Sequence, residues 1–280
     1  MKVIATVQDF RAARCALSRG TRVGLVPTMG ALHEGHLSLV RAAKAQSDVV
    51  VVSIFVNPTQ FGPNEDFAKY PRNLERDCAM LDHEKVDFVF APSVEEMYPK
   101  GAVTFVAVEG LSDKLCGRSR RGHFRGVTTI VSKLFHVVEP DLAFFGQKDA
   151  AQVAIIKRMV KDLAMPVAVV VCPIMREADG LAMSSRNSYL DPEQRRSALV
   201  LSRSLSRVRQ AFDKGQRDSA ELIAAGKELF PDDAGARLDY LEIVDPDSLE
   251  TLSAVNQPAL VAIAAFVGST RLIDNLVLYP

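Results

Sequence analysis

The sequence predicts an α/β protein, a doubly wound parallel sheet of Rossmann-like type followed by a second, smaller α+β domain. Three observations carry this expectation. Short runs such as residues 48–56, DVVVVSIFV, are apolar nearly throughout, as strands covered on both faces are. Segments of helical periodicity alternate with these runs. Past Arg186 the texture changes to polar-faced helices and then to β-rich segments.

Taken in order, Phe10, Ala13 and Leu17 recur at helical spacing before the stop signal Gly20. Residues 22–26, RVGLV, read as a short buried strand. A helix over residues 35–46 follows, carrying Leu37, Leu39, Val40 and Ala43, and then the strand 48–56. Residues 74–81 continue as helix and 86–90, VDFVF, as strand. After a loop-rich middle, 127–138 reads as helix, 142–145 as strand, 150–163 as helix and 167–172 as strand. Beyond these, YLDPEQRRSALVLSRSLSRVRQAF reads as one polar-faced helix and SAELIAAGKELF as another. LDYLEIVD, ALVAIAAFVG and TRLIDNLVLYP are β-rich segments at hairpin-like separations. The expected division is 1–176 for the Rossmann-like domain and 177–280 for a small α+β lid domain.

Composition narrows the functional classes. Lys plus Arg equals Asp plus Glu, 34 each, so no overall basic field points to nucleic acid. No apolar run approaches the ~20 residues that span a bilayer, and Asp9, Arg11 and Arg14 interrupt the place of a signal peptide's apolar segment. Cys15, Cys78, Cys116 and Cys172 form no Cys-x-x-Cys pair, which leaves reduced, buried thiols in a cytoplasmic protein.

The chemistry concentrates where predicted strands end. PTMGALHEGH, residues 27–36, brings His33 and His36 to the start of a helix. The zinc-protease pattern needs histidines four apart, and it fails here. A helix N-terminus presents unpaired N–H groups and partial positive charge, Gly30 and Gly35 allow close approach, and imidazoles donate to phosphate oxygens. These features point to phosphate. FGQKDAAQ, residues 145–152, repeats the arrangement. Lys148 is either a point charge for phosphate or a salt-bridged surface lysine, and Asp149 either accepts from ribose hydroxyls or caps the helix. GLAMSSRN, residues 180–187, is either an interdomain linker or a wrap for polyphosphate with Arg186 bonding in pairs. FVNPTQFG and the later Gln152 offer neutral amides for a small polar substrate. CGRSRRGHFRGV gathers Arg118, Arg120, Arg121, His123 and Arg125, either as a solvated basic loop or as a funnel for an anionic substrate.

In this order, PTMGALHEGH, FVNPTQF, EDFAKYPR, GHFRGV, FFGQKD and GLAMSSRN resemble the pantothenate synthetases (pantoate–β-alanine ligases) over essentially the whole chain. That family shares its His-x-Gly-His motif with class I aminoacyl-tRNA synthetases. The resemblance implies an ATP-dependent condensation of (R)-pantoate with β-alanine to pantothenate, AMP and diphosphate through a pantoyl-adenylate. It implies a first ATP segment of Met29, Gly30, Ala31, Leu32, His33, Glu34, Gly35 and His36, with His36 as proton donor and His33 on phosphate. A second would be Gly146, Gln147, Lys148 and Asp149, with Lys148 catalytic, and a third Met183, Ser184, Ser185 and Arg186. Met175 would touch adenosine through its backbone. Gln60 and Gln152 take the pantoate positions, Gln60 also lying near β-alanine. Arg121 stands where the family has proline, so the part played by Arg120 is open. Mg²⁺ is implied by the chemistry, with no ligand set evident, and a cytoplasmic homodimer is implied by the resemblance. The rival readings are another His-x-Gly-His nucleotidyltransferase, a non-catalytic nucleotide-binding module, and an RNA-binding synthetase fragment.

Overall fold

The computed structural model describes residues 1–63, 65–231 and 235–280. The chain packs as two compact units, one of Met1–Asp113, Gly117–Gly146 and Ile155–Cys172, the other of Lys114–Cys116, Gln147–Ala154 and Pro173–Pro280. The second unit takes most of its residues from Pro173 onward and two short stretches from earlier in the chain.

The first unit is built on a parallel sheet of β1 (Lys2–Ile4), β2 (Val23–Thr28), β3 (Val49–Ile54), β4 (Phe88–Phe90), β5 (Leu142–Gly146) and β6 (Ala168–Cys172). Their spatial order is β1-β4-β3-β2-β5-β6. The helices of this part of the chain are α1 (Val7–Cys15), α2 (Glu34–Lys44), α3 (Leu74–His83), α4 (Val94–Met97), α5 (Cys116–Ser119), α6 (His123–Val138) and α7 (Ala150–Asp162). The edge strand β1 is too short to show a period in the sequence, and it is fixed by pairing with β4. Helix α6 starts at His123 rather than at 127, after Gly122 in left-handed backbone. Its basic first turn masks the apolar face of Phe124, Val127, Ile130, Val131, Leu134 and Phe135, all buried. Each such side chain contributes roughly 1.5–3 kcal/mol when fully buried.

Strand order reverses between β2 and β5, and doubly wound sheets bind ligands outside the carboxyl ends of the strands at that point. The geometry there is open. β2 pairs with β3 up to Thr28↔Ile54, and β5 with β6 up to Gly146↔Cys172. Between β2 and β5 only Gly24↔Leu142 and Leu25↔Ala143 are in register. The two central strands therefore share no register pairs over their last residues, where the loop with His33 begins.

The second unit holds a three-stranded antiparallel sheet of β7 (Ala236–Val244), β8 (Ala259–Val267) and β9 (Thr270–Leu278). Its helices are α8 (Pro192–Ala198), α9 (Val200–Asp213) and α10 (Ser219–Lys227). Leu201, Leu205, Val208 and Phe212 lie on one face of α9 and form a core with Leu241, Val261 and Ile263. Two expectations are corrected here. The single polar-faced helix is two helices that meet at Leu199, whose N–H donates three residues back to Arg196, a tightening of 3₁₀ type. Residues 245–258, between β7 and β8, are longer than a hairpin loop, whereas β8 and β9 join through Gly268 and Ser269. Among the described residues no helix is long and apolar enough to cross a membrane. The cysteines are unpaired, with Cys116 and Cys172 buried, and Cys15 differs from expectation in being exposed.

Candidate active site

The loop after β2 uses its own histidines to close the start of α2. His33 is the N-cap, and its Nδ1 accepts from Gly35 N–H at 3.1 Å. His36 Nδ1 accepts from His33 N–H at 3.4 Å, completing a reciprocal capping box, with ring centroids 4.1 Å apart. A neutral imidazole that accepts at Nδ1 carries its proton on Nε2. The cap therefore sets the tautomer of each ring in its neutral form. This revises the reading of the helix start as a cradle of unpaired amides, because most of the loop's N–H groups are engaged. Gly30 N–H donates to Thr28 Oγ1 at 3.2 Å, Ala31 and Leu32 donate to the two Asp77 carboxylate oxygens at 2.9 Å each, and His36 donates to the His33 carbonyl at 2.8 Å.

Asp77, on α3 and 1% exposed, was not among the expected site residues. It anchors a stretch in which Gly30 and Ala31 both have left-handed backbone, at φ 78° and 50°. Consecutive amides of such a turn converge on an anion, here the carboxylate. A Cβ at Gly30 would stand 2.9 Å from Asp77 Oδ2 and 3.2 Å from Ile54 Cγ2. Glycine at position 30 thus suits both the left-handed backbone and the close packing against Asp77 and Ile54.

Gln60 ends a 3₁₀ turn, Pro58–Gln60, and is buried rather than solvated. Its Oε1 accepts from Asn57 Nδ2 at 3.0 Å, and its Nε2 donates to Met29 Sδ at 3.0 Å. Asn57, 1% exposed, also donates to the Gly126 carbonyl at 3.1 Å and accepts at Oδ1 from Tyr98 and Thr59 hydroxyls at 3.0 and 2.9 Å. Burial raises the Tyr98 phenol above its ordinary range, against the lowering effect of its bond with Thr59. The phenol therefore stays a neutral donor to Asn57.

In the second unit, Gln147, Lys148 and Asp149 form a 3₁₀ turn directly before α7, and Gln152 lies half-buried in the first turn of that helix. A Cβ on Gly146, the last residue of β5, would meet nothing within 4 Å, which is compatible with close approach of a ligand. Met175 and Met183 face each other across a narrow turn, where Met183 N–H donates to the Met175 carbonyl at 2.9 Å and Arg176 bridges Ala182. Ser184 caps the following 3₁₀ segment Ser185–Tyr189. Asn187 fastens that segment through Nδ2 to Glu177 at 2.7 Å and to the Ala182 carbonyl at 3.1 Å. Segment 175–187 is thus a braced hairpin rather than a plain linker.

The model of a known protein family, pantoate-beta-alanine ligase, matches residues 2–277. The chain belongs to the pantoate–β-alanine ligase family. Among its relatives, the pantothenate synthetase of Koribacter versatilis is 62% identical over 99% of this chain and 96% of its own length. That of Pelotomaculum thermopropionicum is 57% identical over 99% of both. A crystal structure of the Thermus thermophilus enzyme has a TM-score of 0.95 at 50% identity, with 100% of both chains covered. The Francisella tularensis pantoate–β-alanine ligase, solved with β-γ ATP and β-alanine, has a TM-score of 0.81 at 36% identity over 99% of this chain and 97% of that one.

In the arginine-rich stretch, Arg120, His123 and Arg125 have partners within the protein. Arg120 clasps Glu65 through two bonds of 2.7 and 2.6 Å and donates to the Gln60 carbonyl at 3.3 Å. His123 Nδ1 donates to the same carbonyl at 2.8 Å while its Nε2 accepts from Arg120 at 2.9 Å. Burial pushes the Glu65 carboxyl up, and the Arg120 bonds and charge more than offset this, so its pKa is lowered. Arg125 instead lies over the Phe105 ring, 3.8 Å from its centroid. Arg120 therefore holds the backbone of Gln60. Among the described residues no three His, Cys, Asp or Glu side chains gather to hold a metal ion, so the residues do not fit an all-protein Mg²⁺ cage.

Proposed function

We propose that the chain joins (R)-pantoate to β-alanine at the expense of ATP, giving pantothenate, AMP and diphosphate through a pantoyl-adenylate. The observation that carries this reading is the 3.0 Å bond from Gln60 Nε2 to Met29 Sδ. It joins a neutral amide suited to a hydroxy acid to the first residue of the His-x-Gly-His segment, and attack of a carboxylate on an α-phosphate needs these two binding functions side by side. In the first step a pantoate carboxylate oxygen bonds to the α-phosphorus and the bond to diphosphate breaks. In the second the β-alanine amine attacks the acyl carbon, AMP leaves and the amine loses a proton.

His33 and His36 hydrogen-bond phosphate oxygens through Nε2–H, their tautomers held by the capping box, and so stabilise the diphosphate that leaves. Lys148 supplies a fixed positive charge as negative charge grows in the transition state. Met183–Arg186 and the Met175 backbone complete the contacts with ATP. Mg²⁺ would accompany ATP, bound mainly to phosphate oxygens and water, as this ion often is. A homodimer in the cytoplasm goes with the reading, supported by the family resemblance.

Gln60 and Gln152 hold pantoate. A neutral amide both donates and accepts, and it leaves the carboxylate's negative charge available for attack, whereas a lysine would stabilise the ground state without speeding the step. Gln60→Ala and Gln152→Ala should each cost about 1–3 kcal/mol in the use of pantoate, with ATP affinity nearly unchanged. Pantoate saturation of diphosphate release, beside direct titration of ATP, measures this. Collapse of ATP affinity with an unchanged pantoate dependence would move both glutamines to the nucleotide site.

A further inference from the structure

Two consecutive polar residues interrupt the apolar strand β9, and both are buried, Asp274 and Asn275 at 3% exposure each. Buried polar groups need partners, and Asn275 finds them on the expected ATP segment Gln147–Lys148, Asp274 on the hairpin that leads into the other, Met183–Arg186. Asn275 Nδ2 donates to the Gln147 and Lys148 carbonyls at 2.9 Å each, and its Oδ1 accepts from Gln147 Nε2 at 3.1 Å. Its whole amide is used on this one turn. Asp274 takes both Arg176 end nitrogens, at 2.6 and 2.9 Å, and Arg176 also donates to the Gly180 carbonyl at 3.1 Å, bracing the hairpin that leads into Met183–Arg186. Asp274 Oδ1 further accepts from the Asn275 backbone N–H at 2.8 Å, which links the two braces.

We propose that Asn275 is a positioning residue for adenylation, fixing the backbone from which Lys148 reaches phosphate, with Asp274 holding the second segment in step with the first. The inference rests on the assignment of Lys148 to phosphate. Lysine has four rotatable side-chain bonds, so its ammonium is well aimed only if its Cα is fixed, and the Asn275 bonds supply that fixation. Nothing in β9 need touch substrate for this to work.

The test compares Asn275→Ala, Asn275→Asp, Lys148→Ala and a core control, Ile263→Val in β8, all followed by pantoate-dependent diphosphate release. Misplacement of a catalytic group by about 1 Å can cost about 10²-fold, so Asn275→Ala should lose kcat by about that factor. Its KM for pantoate should move far less, and the Ile263→Val control should keep near-normal kcat. Asn275→Asp keeps the shape but turns a negative oxygen toward two carbonyls. A protonated carboxyl can donate to one of them, so the ratio of its kcat to that of the unsubstituted protein should rise as pH falls from about 8 to about 6, burial having raised the new carboxyl's pKa. If Asn275→Ala does not fold, this ratio decides. A flat ratio, or unchanged kcat in Asn275→Ala while Lys148→Ala is inactive, overturns the proposal and leaves the Lys148 assignment standing. Near-normal release by Lys148→Ala overturns both.

Discussion

His36→Ala and Lys148→Ala should each lose pantoate-dependent diphosphate release by about 10²–10³-fold, the usual loss when one preorganised donor to a transition state is removed. The two substitutions fail for different reasons. Lys148 contributes charge from a turn whose backbone is held by Asn275, so its removal should leave stability unchanged. His36 also caps His33 N–H, so its loss should cost about 0.5–2 kcal/mol of stability as well. His36→Asn separates the roles, since an amide oxygen can still accept the capping bond while the Nε2–H donor is gone. Its stability should recover and its activity should not. Stopped assays of diphosphate beside denaturant unfolding read both quantities, and near-normal release by His36→Asn would remove the histidine from the chemistry.

Gly126→Ala should damage pantoate use from inside a helix, without touching the ligand. Glycine in a helix interior costs roughly 0.5–1 kcal/mol relative to alanine, so on propensity alone the change should stabilise α6. Packing decides the other way. A Cβ at 126 would stand 2.4 Å from the Thr59 carbonyl oxygen, 2.6 Å from its carbon and 2.7 Å from Gln60 N. These are backbone atoms and have no rotamer to escape into. Helix and turn must separate, which strains the 3.1 Å bond from Asn57 Nδ2 to the Gly126 carbonyl and frees Asn57 from orienting Gln60. Overpacking of this kind costs about 1–3 kcal/mol, so a lower denaturant midpoint is expected together with a raised KM for pantoate. An unchanged KM with a lowered midpoint would show that the glycine serves packing alone.

The sequence made most of the sheet legible because its strands are apolar on both faces and its helices carry period-3.6 stripes, signals local to each element. What it hid depends on contacts between distant positions. β1 is an edge strand of Lys2–Ile4 whose register comes from Phe88–Phe90. Asp77 reads as an ordinary helix-start acid until it is seen to hold Ala31 and Leu32, and Asn275 reads as a strand residue until its bonds to Gln147 and Lys148 are in view. A trace was present in TRLIDNLVLYP, where Asp-Asn breaks an apolar strand and a buried polar pair demands partners. The motifs themselves were visible, yet their local chemistry was not. The His33–His36 capping box follows from backbone angles, and the Arg120–Glu65 clasp gives one member of a stretch readable as solvated loop or anion funnel a hold on Gln60.

The central claim is that a pantoate carboxylate oxygen bonds to the α-phosphorus before the amide forms. Pantoate labelled with oxygen-18 in its carboxylate, turned over with ATP and β-alanine, tests it directly by mass spectrometry of the products. The account predicts pantothenate together with AMP that carries one labelled oxygen from pantoate, diphosphate remaining unlabelled. Label in orthophosphate with ADP as the nucleotide product, or AMP without label, would contradict it.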